Sequence, residues 1–196
     1  MKVLLLLLVI TMTGCDLFST RTPENPSESK TFFLPPTEPA ILVQNFESAV
    51  KNKNLENYLK CFTSNTDDVT SYRFFPSQSA TTSFGSLFIL WGTEQERRFF
   101  NSLSALITKE TLPILFWTDR KAIIENPDSA VFESDYTLNI NFSDSNIPSD
   151  YNGKIRLVMI SDNNGLWSIS KWYDYNLGST DTIANSWSIL KAKLYN

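Results

Sequence analysis

The chain has 196 residues, 42% hydrophobic and 19% charged, with a formal charge of −4 at pH 7. These values exclude wholesale disorder and a strongly basic nucleic-acid binder. Two cysteines exclude a disulfide-dense scaffold, and the lack of any histidine removes Ser-His-Asp and Cys-His nucleophiles, His-ligated metals and imidazole acid–base work.

Lys2 precedes an apolar run from Val3 to Ile10, and Thr11-Met12-Thr13-Gly14-Cys15 follows. A positive start, a short apolar stretch and small residues make a secretory signal peptide, too short to span a bilayer. The ending resembles the bacterial lipoprotein lipobox, with Thr13 and Gly14 before the cysteine and Met12 where Leu is usual. The resemblance implies cleavage after Gly14 (residues 1–14 being the signal peptide), diacylglycerol on Cys15 and an added acyl chain such as palmitate. The expected location is the bacterial cell envelope, with the chain held at a membrane and facing periplasm or exterior. Residues 15–36 read as the lipidated cysteine and a disordered tether, rich in Pro, Ser, Thr and Glu. Residues 16–36 reach at most about 70 Å. Phe32, Phe33 and Leu34 are the expected first contact with the folded part.

Residues 37–196 read as one domain. Thr37 and Pro39 open a helix with Leu42, Phe46, Ala49 and Val50 on one face; Asn54 caps a second, with Leu55, Tyr58, Leu59 and Phe62. Val69 to Phe75 looks extended and stops at Pro76, and the Ser/Thr/Gln-rich stretch 77–83 reads as loop. Thr93-Glu94-Gln95-Glu96 forms a capping box ahead of the stripe Phe99, Phe100, Leu103, Leu106 and Ile107. The pair Arg97-Arg98, flanked by Glu94 and Glu96, reads as helix-surface charge.

The period then changes to two. Leu112 to Ile124 is extended, with Pro113 indicating an edge or a strand start. Ala130 to Phe142 alternates apolar residues with Glu133, Asp135, Thr137, Asn139 and Asn141, a strand with one wet face. Strands over 153–161 and 166–175 join at Asp162-Asn163-Asn164-Gly165, a hairpin signal. Alternation on the last strand puts Trp167, Tyr173 and Tyr175 on one face and Trp172 on the other. Ile183, Trp187, Leu190 and Leu194 recur at helical spacing.

This order specifies an α+β domain, N-terminal helices packed on a curved antiparallel sheet. It resembles the NTF2-like (SnoaL-like) cone, a cystatin-like α+β roll. The likeness rests on element order, on Leu42 to Phe62 with Asn54-Leu55-Glu56-Asn57-Tyr58, on Phe74-Phe75-Pro76, and on Ser186 to Ala192. It implies a cavity between sheet and helices, with Tyr72, Tyr136, Trp117 and Tyr173 as candidate lining, and relatives that often dimerise.

Enzymes of that fold use a buried Asp or a His as base. Here Glu133 and Asp135 fall on the wet face, and no spacing pairs Asp119 or Asp174 with a partner. Tyr136 reads as a core tyrosine with a satisfied hydroxyl, and Cys61 as a small buried apolar residue. No Gly-rich phosphate loop occurs among the six glycines. The sequence therefore supports no catalytic residue, cofactor, metal or nucleic acid. The expectation is a non-catalytic envelope lipoprotein binding a small hydrophobic ligand or a protein partner, with a pocket enzyme or a homodimeric structural module as alternatives.

Overall fold

The computed structural model describes residues 32–64, 71–108, 110–178 and 185–195; the expected signal peptide, and the expected tether up to residue 31, lie outside them. Five helices and five strands follow in the order α1 (Pro39–Lys51), α2 (Leu55–Lys60), β1 (Arg73–Phe75), α3 (Gln78–Phe84), a 3-10 turn (Gly85–Phe88), α4 (Thr93–Leu106), β2 (Ile114–Asn126), β3 (Ser129–Asn139), β4 (Asp150–Ser161), β5 (Trp167–Tyr175) and α5 (Trp187–Leu194). The strands form one sheet in the order β1-β5-β4-β3-β2, antiparallel except for the parallel pair β1–β5. Among the described residues no helix is long and apolar enough to cross a membrane.

The local chemistry explains the boundaries. Pro39 occupies the first turn of α1, where a missing N–H costs nothing. The Asn54 side chain accepts from the Asn57 N–H at 2.9 Å and caps α2. In the β4–β5 hairpin, Asp162 accepts from the N–H groups of Asn164 and Leu166, and Gly165 takes φ 73°. Ahead of α1, Leu34 exchanges two hydrogen bonds with the Asn45 side chain, the Trp167 N–H donates to the Pro36 carbonyl, and Phe33 packs on the core.

Three local expectations are corrected. Residues 78–84 are helical, not loop: the Ser77 N–H donates to Ser188 Oγ at 2.9 Å, and the hydroxyls of Thr81 and Thr82 donate back to the carbonyls of Ser77 and Gln78. Tertiary anchoring overrides weak propensity there. Helix α4 is capped by Gly92, whose N–H reaches the Gln95 side chain at 3.0 Å, so Thr93 is already inside the helix and Glu96 turns inward. On β5, Val158 pairs with Lys171 and Met159 with Ile169, leaving Ser170 as an extra residue. This bulge switches the alternation, so Trp167 lies on the inner face with Trp172.

The inner face of the sheet, under the helices, holds the core. Phe46 of α1 is its hub, with ring centroids 5.4 Å from Trp172, 5.7 Å from Tyr58, 5.9 Å from Trp187 and 6.4 Å from both Phe62 and Trp117.

Candidate functional site

The concave side is filled rather than open. Helix α5 lies in it with seven of its eight residues buried, Lys193 being the exception. Trp187 packs edge-on to Trp172 at 4.9 Å and to Tyr136 at 5.6 Å. A helix buried nearly all round is a core element, not an amphipathic cover.

Two buried polar clusters fasten it. The first centres on Asp174 of β5. One carboxylate oxygen accepts from the Tyr136 hydroxyl at 2.8 Å; the other accepts from the Ser188 N–H at 2.8 Å and from the Ser188 hydroxyl. The Tyr136 oxygen in turn accepts from the Trp187 N–H at 2.7 Å. Asp174 thus caps α5 from across the sheet, its negative charge set against the positive end of the helix. Burial pushes the Asp174 carboxyl above its ordinary range, and the bonds from Ser188 and Tyr136 oppose that rise.

The second centres on Glu96 of α4. It accepts from the hydroxyls of Tyr58 at 2.8 Å and Tyr72 at 2.7 Å, from the Trp91 indole N–H at 2.9 Å, and from the Lys191 ammonium of α5. Glu96 and Lys191 are completely buried. The ammonium lies 3.7 Å from the Phe74 ring centroid and 3.9 Å from that of Trp172, so aromatic faces replace much of its lost water. Burial nevertheless outweighs Glu96 and lowers the Lys191 pKa to about 8. Burial first, and then the Glu96 charge, raises Tyr58 and Tyr72 well above the usual phenol range.

The four candidate lining residues are not brought together. Tyr72 belongs to the Glu96 cluster and Tyr136 to the Asp174 cluster, while Trp117 donates its indole N–H to Glu47 at 3.0 Å. Tyr173 lies on the opposite face of the sheet, stacked 4.4 Å from Phe75 and 6.5 Å from Tyr175. Asp119 is exposed, at a β2 irregularity with φ 52°, 3.1 Å from Lys121. Cys61 is buried, its thiol pushed up by burial, and it donates to the Asn57 carbonyl.

Sequence reasoning missed Glu96 and Lys191 altogether; Glu96 is no surface charge. No local pattern announces a pair 95 residues apart. Asp174 had one signal, an acid in phase with Trp172 on an otherwise apolar inner row.

Open surface remains elsewhere. A depression of about 960 Å³ lies between the start of α1 and the turns at Asp128 and Asp162, with Trp167 among its walls. The outer sheet face carries Glu133 beside Arg156 at 3.6 Å and Asp135 beside Lys154 at 3.7 Å, with Thr137, Phe116, Tyr173 and Phe75 around them.

No family model and no curated protein matches the sequence. Solved structures do match in fold. A candidate scytalone dehydratase from Novosphingobium aromaticivorans is 10% identical, with TM-score 0.55 over 74% of this chain and 88% of that one. A nuclear transport factor 2 (NTF2-like) superfamily protein from Salmonella enterica serovar Typhimurium is 12% identical, with TM-score 0.54 over 72% and 89%. A candidate calcium/calmodulin-dependent protein kinase II association domain from Xanthomonas campestris is 18% identical, with TM-score 0.52 over 72% and 86%. At these identities the likeness concerns the fold alone, which hosts enzymes and non-enzymes. With helices on a five-stranded, mostly antiparallel sheet and these neighbours, the chain has the NTF2-like α+β fold.

Proposed function

We propose that the chain is a bacterial envelope lipoprotein, anchored through Cys15, whose domain is a non-catalytic binding module. It meets a protein partner, a second copy of the chain included, on the outer face of its sheet. The observation that carries this reading is the occupied concavity: α5 stands where a small hydrophobic ligand would sit, fastened by Asp174 and by the Glu96–Lys191 pair. Among the described residues no helix lies over the outer face, which offers acidic β3 beside basic β4, a pattern suited to a partner of complementary charge. The anchor rests on the lipobox residues Thr13-Gly14-Cys15.

The test uses the full chain in a bacterial host, with Thr137→Cys on the outer face and a short thiol cross-linker applied to isolated membranes. A covalent adduct, with another protein or with a second copy, is the expected result. Failure of Thr137→Cys to give any adduct on membrane-bound chain defeats the binding face. Cys15→Ser should release the chain from membranes; a variant that stays there until detergent is added defeats the anchor.

One observation favours a pocket enzyme instead. Asp174 is a buried acid with a raised pKa, bonded to a tyrosine, the kind of pair that serves proton transfer. That reading requires α5 to leave, because Ser188 of α5 occupies one Asp174 oxygen. Structural change at Trp187 on addition of a hydrophobic ligand would support it, and an unperturbed α5 would not.

A further inference from the structure

Between Arg73 and Glu94 the chain carries no charged side chain for twenty residues. This stretch holds α3 and the 3-10 turn. It presents Thr81, Thr82, Ser83 and Ser86 to solvent around three bulky apolar side chains: Phe84 (38% exposed), Ile89 (74%) and Leu90 (67%). They stand on a firm base. Ala80, Phe88 and Trp91 are buried, the Phe88 and Trp91 rings lie 5.0 Å apart, and the Phe74 N–H donates to the Trp91 carbonyl at 3.0 Å.

We propose that this tip lies in the boundary between headgroups and acyl chains of a bilayer, as a protein-borne contact beside the lipid on Cys15. The proposal rests on the anchoring read from the lipobox. Two features select a bilayer over a protein. The polar groups of the stretch are uncharged, hydroxyls and the exposed Gln78 carboxamide, which enter the interface without the cost of burying an ion, whereas a protein interface surrounds its apolar centre with a charged and polar rim. The second feature is reach. Residues 15–31, outside the structure, extend up to about 55 Å, and the longest strand, β2 with 13 residues, measures about 45 Å. The anchored chain can therefore turn any part of the domain toward its own membrane. Tethering raises the local concentration, so a weak patch suffices. With no Lys or Arg in the stretch, the contact is indifferent to anionic lipid and to salt.

The test uses the full chain with its native anchor, extracted from bacterial membranes and reconstituted into phosphatidylcholine vesicles. Ser86→Cys carries an environment-sensitive fluorophore; Cys61 is buried, and Cys15 is blocked by its lipid. The expected result is a blue-shifted label quenched by nitroxide lipid, unchanged at high salt. Ile89→Ser or Leu90→Ser should each lower the insertion equilibrium constant about tenfold. Near-UV circular dichroism checks that these surface variants stay folded. A vesicle-bound chain whose label keeps its aqueous spectrum overturns the tip and leaves the anchor standing. A chain that never binds vesicles overturns both. Quenching that survives Ile89→Ser combined with Leu90→Ser also overturns the tip.

Discussion

Gly153 of β4 is required by its neighbour rather than by its own backbone. A Cβ there would stand 2.5 Å from the Tyr136 hydroxyl and 2.7 Å from the Tyr175 carbonyl. The Tyr136 hydroxyl is held at both ends, donating to Asp174 and accepting from the Trp187 N–H. Gly153→Ala must push the ring aside and break both bonds, leaving a buried carboxylate and a helix N–H short of a partner. The expected loss is about 2–4 kcal/mol in urea unfolding. Tyr136→Phe removes the hydroxyl alone and should cost about 1–3 kcal/mol. Because part of the Gly153→Ala loss runs through that hydroxyl, while the contacts with the Tyr175 carbonyl and the ring edge persist in Phe, the double variant should cost somewhat less than the two losses combined. Full additivity would mean that the glycine serves something other than the Tyr136 hydroxyl.

Helix α5 has a weak claim to exist alone, being only eight residues long. Its place is set by the two clusters and by Trp187. Lys191→Met keeps the bulk of the side chain but leaves Glu96 charged and without its cation, which should cost about 3–5 kcal/mol. Adding Glu96→Gln removes the stranded charge while an amide oxygen still accepts from Tyr58, Tyr72 or Trp91. The double variant should recover most of the loss in urea unfolding; a double variant as unstable as the single would show that the ion pair itself stabilises the helix. This element also marks the limit of what periodicity reveals. Leu42, Phe46, Ala49 and Val50 on α1, and Tyr136 and Leu138 on β3, lie inward as their spacing requires. Trp167 does not follow its spacing, because one extra residue at Ser170 inverts every position before it. Helix α3 was hidden because its anchors, Ser186 and Ser188, lie more than 100 residues away. The filled cavity was hidden for the same reason: Glu96 and Lys191 look solvated in sequence and become core residues only when α4 and α5 meet.

At the scale of the whole molecule, the buried titratable groups shape stability against pH. Lys191 bonds to Glu96, which also holds the hydroxyls of Tyr58 and Tyr72, and feels the charge of Asp174, and its pKa falls from an ordinary 10.5 to about 8 in the folded chain. Between these values the unfolded chain holds a proton that the native chain has released. Stability therefore rises with pH across that window, by as much as about 3 kcal/mol from this one group. The tyrosines act in the opposite sense. Tyr58, Tyr72 and Tyr136 have raised folded values, so the stability they confer is complete below the ordinary phenol value of 10.0 and declines above it, as the unfolded phenols ionise. Asp174, also raised, stabilises most below its ordinary value of 3.8 and less as pH climbs through its folded value. The Cys61 thiol, pushed up by burial from an ordinary 9.0, confers stability that declines above that value and offsets Lys191 there. Together these place a rise between pH 8 and about 9, little change toward 10, and then a fall. Urea unfolding at pH 7, 9.5 and 11 checks the shape, with Lys191→Met/Glu96→Gln as the control. The control should lose the rise and keep the alkaline fall, because Tyr136 is untouched and the phenols of Tyr58 and Tyr72 remain buried. A wild-type chain that weakens steadily from pH 7 upward would place the Lys191 proton on the native side throughout, and the aromatic faces of Phe74 and Trp172, with Glu96, would then outweigh burial.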